Sequence, residues 1–179
     1  MGEERKPQKG KLFLGLIFSD RAVLAAAEKR LANDYGDIDA RSSIVPFDKT
    51  DYYEKEMGTG LLRQFLSIKP LLDIGELPSV KHQTNILELL FADPQGRRRI
   101  NIDPGYLLFS KVVLATTKDY SHRLYLGNNI YAEVTLHYRG EDKSYAPWEW
   151  TYPDYRDPMA LEFFSHLRHL YKEQIKEQP

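Results

Sequence analysis

The chain has 179 residues, of which 42% are hydrophobic and 28% are charged, and this is the composition of an ordinary globular protein. A chain of this length buries roughly 70% of its unfolded surface on folding, so it can form a core without disulfides or a structural metal. The 25 basic and 26 acidic side chains nearly cancel. This balance argues against nucleic acid or an anionic membrane as an obligatory partner.

Cysteine is absent from the sequence. Its absence excludes disulfides, thiolate-ligated zinc, iron–sulfur clusters and cysteine nucleophiles. No apolar run approaches the roughly 20 residues that a membrane-spanning helix needs. The first ten residues carry charges but no apolar signal sequence, and Lys6 stands where a myristoylation signal has Ser or Thr. We therefore expect a cytoplasmic protein without a membrane span.

The chain begins with a polar segment, residues 1–10, that predicts a flexible tail, and residues 11–179 predict a single domain. Lys11 to Ser19 are nearly all apolar, which is typical of a buried central strand. Ser19 or Asp20 can cap a helix that follows, and Gly36 can end it. Helical spacing places five apolar residues on one face of this helix: Val23, Leu24, Ala27, Leu31 and Tyr35.

Two further strands are predicted at Arg41–Phe47 and Leu61–Ile68, and Pro78 with Ser79 predicts the start of a second helix. This helix would turn one apolar face toward the core: Val80, Ile86, Leu87, Leu90 and Phe91. Pro94 in the turn that follows breaks regular structure. Four more strands are predicted after it: Arg99–Ile102, Leu107–Ala115, His122–Leu126 and Ile130–Arg139.

The last part of the chain combines an aromatic, proline-rich segment at 145–158 with a helix that starts at Asp157 and Pro158. The segment predicts an ordered loop, and the helix keeps its apolar residues at helical spacing. The core face of this helix would be Phe163, Phe164, Leu167, Leu170, Tyr171 and Ile175. The order of elements predicts an α+β fold, with a mixed or antiparallel sheet packed against helices. A ferredoxin-like half extended by β-hairpins is one topology that fits this order.

The most informative polar segment is the turn between two apolar strands at 116–123, which carries Thr116, Thr117, Lys118, Asp119, Tyr120, His122 and Arg123. Lys118 and Arg123 could neutralise an anion while the threonine hydroxyls bond its oxygens. His122 could transfer a proton near neutral pH. The alternative is structural: a wide hairpin connection in which Asp119 accepts backbone amides and Tyr120 packs downward. The functional interpretation predicts a phosphate or carboxylate ligand.

The strand at 131–139 alternates between an apolar and a polar face. The predicted core face is Ala132, Val134, Leu136 and Tyr138, and the polar face is Tyr131, Glu133, Thr135, His137 and Arg139. If water covers the polar face, these residues need no function. If the aromatic loop 145–158 covers it, Glu133 becomes a partly buried carboxylate that could serve in acid–base chemistry. Asp103 could approach Lys111 or Arg123, although Asp-Pro-Gly is also a common turn sequence.

Other polar groups have simpler structural explanations. The acidic residues of 48–56 could bind a hard cation, but Asp51 and Glu54 also have capping-box spacing. His166 and His169 are expected at the surface, and Arg97–Arg99 is expected in a solvated turn rather than at RNA. The tryptophans and tyrosines of 145–158 could stack on a base, or anchor the loop to the core. The GxSxG, HExxH and GxGxxG signatures are absent, and we predict no metal site.

Several strings together carry a family resemblance: FSD, PFDKTDYYEKEMG, NIDPGYL, KVVLATTKDYSHRLYLG, IYAEVTL and WTYPDY. From about Lys11 to Lys172 the chain resembles the prokaryotic domain-of-unknown-function family 4416. That resemblance implies a single cytoplasmic domain and transfers no reaction, because the family has no established activity. Some members carry the label "GTP-binding protein".

A P-loop GTPase mechanism does not fit this chain. Gly10-Lys11 is followed by Leu12 rather than Ser or Thr, and it precedes the first strand instead of following it. Thr117-Lys118-Asp119 also lacks the intervening residue of the guanine-reading [NT]KxD sequence.

We therefore predict an anion-binding protein whose ligand is small and phosphorylated or nucleotide-like. The predicted ligand-binding residues are Asp103, Lys111, Thr116, Thr117, Lys118, Asp119, Tyr120 and Arg123, and the candidates for catalysis are His122 and Glu133. The alternative is a non-catalytic protein-interaction module that uses the aromatic loop 145–158. The sequence identifies no cofactor and leaves open whether the protein is an enzyme.

Overall fold

The computed structural model describes residues 2–177, which contain nine strands and five helices. The strands are β1 (Gly10–Phe18), β2 (Ile38–Arg41), β3 (Val45–Pro46), β4 (Leu62–Leu72), β5 (Ile100–Leu108), β6 (Lys111–Thr116), β7 (Leu124–Gly127), β8 (Ile130–Arg139) and β9 (Ser144–Pro147). The helices are α1 (Arg21–Tyr35), α2 (Glu54–Met57), α3 (Leu77–Leu90), α4 (Pro153–Arg156) and α5 (Pro158–Lys176). These elements confirm the predicted α+β fold.

All nine strands join one antiparallel sheet in the order β2-β4-β1-β5-β6-β8-β7, with β3 beside β4 and β9 beside β8. The first part of the chain follows a β-α-β-β-α-β order through β1, α1, β2, β4, α3 and β5. Its strands lie side by side as β2-β4-β1-β5, which is the arrangement of a ferredoxin-like unit. The later strands extend this sheet by hairpins, as the order of elements predicted.

Strand β1 is the centre of the fold, as its apolar sequence predicted. All nine of its residues are buried, between β4 on one side and β5 on the other. Because side chains alternate along a strand, Leu14 and Leu16 pack under α1 and α3, whereas Phe13 packs under α5. The sheet is therefore covered by helices on both faces.

Helix α1 begins and ends where its capping residues predicted. The Asp20 carboxylate accepts a hydrogen bond from the backbone N–H of Ala22 at 2.7 Å. Gly36 lies at the C-cap with a φ of 105°, a conformation that favours glycine. The predicted face of α1 is buried, with Tyr35 only partly covered.

The core face of α3 was only partly predicted. Val80 and Leu87 are buried, but Ile86 and Leu90 are exposed and their assignment to the core was wrong. The helix buries Lys81, Thr84 and Glu88 instead. Its inner face is partly polar because it packs beside a cavity. Prediction from the apolar residues alone therefore placed the core face of α3 part of a turn away from its observed position.

Two strand predictions and one loop prediction need correction. The predicted strand Arg41–Phe47 is divided into β2 and β3, which pair with different parts of β4. The predicted strand Leu107–Ala115 is the hairpin of β5 and β6, which turns at Phe109–Ser110. The segment 145–158 is not a continuous loop, since it contains β9 and α4.

Asp103-Pro104-Gly105 lies inside β5, not in a turn. Pro104 has no amide hydrogen to donate to a neighbouring strand. The pairing of β5 with β6 ends at the next residue, Gly105, which lies opposite Leu114. Gly105 itself allows a close approach of neighbouring groups. A Cβ atom there would overlap with the carbonyl oxygen of Val113 and the ring of Phe13.

Replacement of Gly105 by alanine should therefore destabilise the protein. The Val113 carbonyl belongs to the backbone and cannot rotate away, so we expect Gly105→Ala to cost about 2 kcal/mol of the free energy of unfolding. Urea denaturation measures this change. Gly140→Ala is the matched control, because a Cβ atom at Gly140 meets nothing within 4 Å. Equal denaturation midpoints for the two variants would contradict the packing described at Gly105.

Candidate functional site

A cavity of about 420 Å³ opens where β5 and β6 separate. Asp103 of β5 and Thr116 of β6 both line it, and they lie beyond the last paired residues of the two strands. Residues of β1, β4, α3, α4 and the segment 47–53 complete the wall. Interruption of the ladder at Pro104 thus coincides with the opening in the sheet.

Arg63 of β4 forms part of the buried floor of this cavity. Its side chain is 2% exposed, and its Nη2 lies 3.0 Å from Oδ2 of Asp154. The neighbouring strand makes room for the guanidinium at Gly15, where a Cβ atom would lie 2.6 Å from Nη2. Within residues 2–177, Nε and Nη1 of Arg63 have no hydrogen-bond partner. Both nitrogen atoms are buried, and buried N–H groups are costly to leave unpaired.

A second ion pair on the floor joins α3 to β5. Lys81 Nζ donates hydrogen bonds to Oδ1 of Asp103 and to the carbonyl oxygen of Ile102, each at 3.0 Å. Asn101 Nδ2 donates to the other carboxylate oxygen of Asp103 at 2.7 Å. Although Asp103 lies deep in the fold, 23% of its side chain is accessible at the cavity.

The two carboxylates of the floor have opposite pKa shifts. Burial alone would raise the pKa of Asp103, but the positive charges of Lys81 and Arg63 hold it below its usual value. Burial raises the pKa of Asp154, and the attraction of Arg63 only partly opposes that effect. Asp103 is therefore the stronger acid of the pair.

Lys118 is the cation at the exposed mouth of the cavity. Its Nζ donates a hydrogen bond to the Tyr52 hydroxyl at 2.6 Å and lies 4.0 Å from the centre of that ring. Among the described residues, no carboxylate lies within 4.0 Å of this ammonium group. Thr116 and Thr117 also line the mouth. Positive charge and hydroxyl groups therefore meet there without a counter-ion.

The other two cations of the lining already have acidic partners. Arg98 donates hydrogen bonds to both carboxylate oxygens of Glu56 at 2.7 Å and to Glu88 at 2.9 Å. Lys49 Nζ lies 3.5 Å from Asp157 and 3.8 Å from Asp48. These pairs reduce the charge that Arg98 and Lys49 can offer to a ligand.

Asp103, Thr116, Thr117 and Lys118 are the predicted site residues that line the cavity. Lys111 lies at the opposite end of β6 from Thr116, beside His137 of β8. The side chains of Asp119 and Tyr120 are exposed next to the mouth and do not line it.

Arg123, His122 and Glu133 form a separate cluster beside the cavity. Arg123 Nε donates to Oε2 of Glu133 at 2.8 Å, and His122 Nε2 lies 3.1 Å from the same oxygen. Arg123 Nη2 also donates to the Tyr152 hydroxyl at 2.8 Å. Because Tyr152 lines the cavity, this cluster holds part of the cavity wall in place.

Glu133 is buried beneath the aromatic segment 145–158. Of the two alternatives for the polar face of β8, the structure therefore shows the one in which this segment covers it. Thr151 donates a hydrogen bond to the carbonyl oxygen of Thr135, and Trp150 Nε1 donates to that of Val134 at 3.1 Å. A register shift opposite Thr135 also changes the predicted faces. Ala132 and Val134 pack near α3, whereas Leu136 packs with α5.

The aromatic segment forms a row of stacked rings, which we call the ring row: His137, Trp148, Trp150 and His122. The centre of the Trp148 ring lies 4.1 Å from that of His137 and 5.3 Å from that of Trp150, and Trp150 lies 5.3 Å from His122. Trp148 and Trp150 remain 38% and 39% exposed. Because neighbouring rings cover their faces, the tryptophans present mainly their edges to solvent.

Sequence reasoning missed Arg63 and Lys81 as site residues. Arg63 lies in the apolar run of β4, where a buried charge is unusual and signals a partner or a function. Lys81 shares the inner face of α3 with Val80 and Thr84. A cationic residue on the side of β4 and of α3 that faces the core was the sequence signal that could have identified these two residues.

The structure also shows where the other polar residues considered in the sequence analysis lie. Arg97, Arg98 and Arg99 each pair with an acidic side chain, on Asp93, Glu56 and Asp20 respectively, and His166 and His169 are exposed.

In the described part of the chain, no group of three His, Cys, Asp or Glu side chains could hold a metal ion. Within residues 2–177, no helix has both the length and the apolar character that a membrane crossing requires.

The fold and its site define an α+β domain with a cavity between separated strands of an extended ferredoxin-like sheet. Residues 8–171 match the family described as Domain of unknown function (DUF4416). The chain therefore belongs to this family, as its sequence motifs predicted. Comparison with curated proteins and with solved structures finds no match.

The pair of Lys81 and Asp103 predicts a specific dependence of stability on pH. Asp103→Asn leaves Lys81 without its counter-ion, and we expect a loss of about 2 kcal/mol at pH 7 because the pair is only partly buried. A carboxylate whose pKa is lowered by folding stabilises above its unfolded pKa and loses that effect as the pH falls through its folded pKa. The difference between the two proteins should therefore shrink on acidification.

Urea denaturation of both proteins between pH 7 and pH 3 measures this difference. The subtraction removes the contributions of the other acidic groups, which the two proteins share. A difference that stays constant or grows toward pH 3 would contradict the lowered pKa of Asp103.

The ion pair of Arg123 and Glu133 should be important for stability. Both side chains are nearly inaccessible, so Glu133→Gln leaves a buried guanidinium without a negative partner and should cost about 3 kcal/mol. Thermal and urea denaturation measure the change. Glu141→Gln, at an exposed turn position, should have no measurable effect. If Glu133→Gln also left the stability unchanged, the cluster of Arg123, His122 and Glu133 would not be stabilising the cavity wall.

Proposed function

We propose that this protein binds a small anionic ligand, phosphorylated or nucleotide-like, in the cavity between β5 and β6. The support comes from the charges of the lining. Five cationic side chains and two carboxylates line the cavity: Lys49, Arg63, Lys81, Arg98 and Lys118, and Asp103 and Asp154. Because Arg98 and Lys49 are paired with carboxylates outside the lining, the unopposed positive charge is that of Lys118. We further propose that binding takes place in the cytoplasm, where phosphorylated metabolites are made and used.

The observation that carries the proposal is the ammonium group of Lys118, which has a hydroxyl partner but no carboxylate among the described residues. An oxyanion at this position gains a charge-assisted hydrogen bond without first displacing an ion pair. The hydroxyl groups of Thr116 and Thr117 can add neutral hydrogen bonds to the same anion. Arg63 on the floor has two buried N–H groups without partners in the described chain, and we propose that they bind the rest of the ligand.

This mode of binding differs from a P-loop. In a P-loop, successive backbone amides surround the phosphates, whereas the groups described here are side chains from separate elements. We propose that Lys118, which lines the mouth beside Thr117, acts as a phosphate-binding cation and not as a guanine-reading residue.

A thermal-shift experiment with inorganic phosphate, pyrophosphate and a panel of phosphate monoesters tests the proposal. A ligand present at 100 times its dissociation constant stabilises the native state by about 2.7 kcal/mol. For a chain of this size that corresponds to a rise in Tm of roughly 5–10 °C. Lys118→Ala should weaken binding by about 10- to 100-fold, because a charged hydrogen bond is lost.

Lys172→Ala on the exposed face of α5 is the control for a lost surface charge. It should respond to the ligand as the unmodified protein does. The proposal fails if no anion in the panel raises Tm, or if Lys118→Ala and Lys172→Ala respond alike.

The alternative function, a protein-interaction module, draws on the aromatic segment 145–158. The partly exposed edges of Trp148 and Trp150 and the exposed Tyr152 are the groups that could contact a partner. Tyr155 is buried in the core and is not available. The alternative has less support, because the ring faces pack against one another and the Tyr152 hydroxyl binds Arg123.

A further inference from the structure

The floor and the mouth of the cavity differ in charge balance. On the floor, the cations Arg63 and Lys81 are each matched by one carboxylate, that of Asp154 and that of Asp103. At the mouth, Lys118 has no carboxylate partner among the described residues. A phosphate group on the floor would lie beside two carboxylates, whereas a phosphate group at the mouth meets an unopposed positive charge.

The floor nevertheless keeps free capacity for hydrogen bonds of both kinds. Nε and Nη1 of Arg63 are donors without partners in the described chain, and so is the hydroxyl of Tyr155. The carboxylates of Asp103 and Asp154 have more acceptor sites than their cationic partners occupy. An apolar group in this position would leave buried polar atoms unpaired, at a cost of about 1–3 kcal/mol for each one.

Resting on the proposed function, we infer that the ligand is a phosphate ester of a polyhydroxylated compound, with its phosphate at Lys118 and its hydroxyl groups on the floor at Arg63, Asp103 and Asp154. Each hydroxyl group both donates and accepts a hydrogen bond, and can therefore bridge an arginine N–H and a carboxylate oxygen. The floor presents those two kinds of group side by side.

The dimensions and the walls of the cavity fit such a ligand. Its volume of about 420 Å³ is within the range of pockets that enclose small molecules. Tyr52, Tyr53 and Tyr152 also line the cavity, and their aromatic rings can pack against the C–H groups of a sugar. Both sugar phosphates and nucleoside monophosphates carry the required phosphate and hydroxyl groups.

Isothermal titration calorimetry on the full chain tests this inference. The probes are inorganic phosphate, phenyl phosphate, ribose 5-phosphate, glucose 6-phosphate and adenosine 5′-monophosphate. Phenyl phosphate is the critical comparison, because it carries a phosphate monoester but no hydroxyl group. We expect at least one hydroxylated ester to bind ten or more times tighter than both inorganic phosphate and phenyl phosphate.

The same titrations separate the possible outcomes. Tightest binding of ribose or glucose phosphate identifies a sugar phosphate, and tightest binding of the adenosine compound identifies a nucleotide; either result supports the inference. Equal affinity for all five probes would overturn it while leaving the proposed anion binding intact. Tighter binding of phenyl phosphate would also overturn it. The absence of binding by every probe would remove both proposals.

A variant of the cavity wall provides an independent measurement. Asn85 lies one helical turn after the floor residue Lys81 on α3, lines the cavity and is only partly buried, so Asn85→Ala should fold. We expect it to bind the hydroxylated ester about tenfold more weakly and inorganic phosphate unchanged. Leu89→Ala, on the exposed side of the same helix, is the control. An equal loss for the ester and for inorganic phosphate would contradict the orientation described here.

Discussion

The arrangement of the site depends on the buried contact between Arg63 and Asp154. Arg63 belongs to β4, next to the central strand β1, and Asp154 belongs to α4, which precedes the last helix. A buried guanidinium is tolerated only where a carboxylate compensates it, so this contact requires α4 to lie against the sheet. The same contact requires Gly15 on β1, since any larger residue would occupy the place of the guanidinium.

Strand β5 provides the second constraint. Its sequence NIDPGYL combines pairing with β1 along its whole length with loss of pairing to β6 beyond Gly105. The gap lets Lys81 of α3 reach Asp103. A sheet that was fully paired at this point would have no opening, and Lys81 and Asp103 would have no common space in which to meet.

Much of the fold could be predicted, because its signals are local. The bounds of β8 were predicted as observed, and α1 and α5 begin at the residues that their capping and proline signals indicated. Asp-Pro-Gly is a common turn sequence but lies inside β5, because β1 supplies a partner strand on the other side, which the sequence alone does not show. Local patterns also cannot reveal a register shift such as the one opposite Thr135.

The candidate site was predictable only in part, for a related reason. Lys118 and its neighbouring threonines were predicted because they follow one another along the chain. Arg63 meets Asp154, and Lys81 meets Asp103, only through the lateral order of β4, β1 and β5. Residues far apart in sequence are brought together by that order, and no spacing along the chain encodes it. His122 and Glu133, the predicted candidates for catalysis, are in contact with each other, but beside the cavity.

The ring row has an optical consequence. Both tryptophans of the chain belong to it, so all of the tryptophan fluorescence originates in the ring row. His122, which stacks on Trp150, shares Glu133 with Arg123, and Arg123 binds the wall residue Tyr152. The chain therefore carries a built-in fluorophore that a short series of noncovalent contacts connects to a residue of the cavity wall, without any added label.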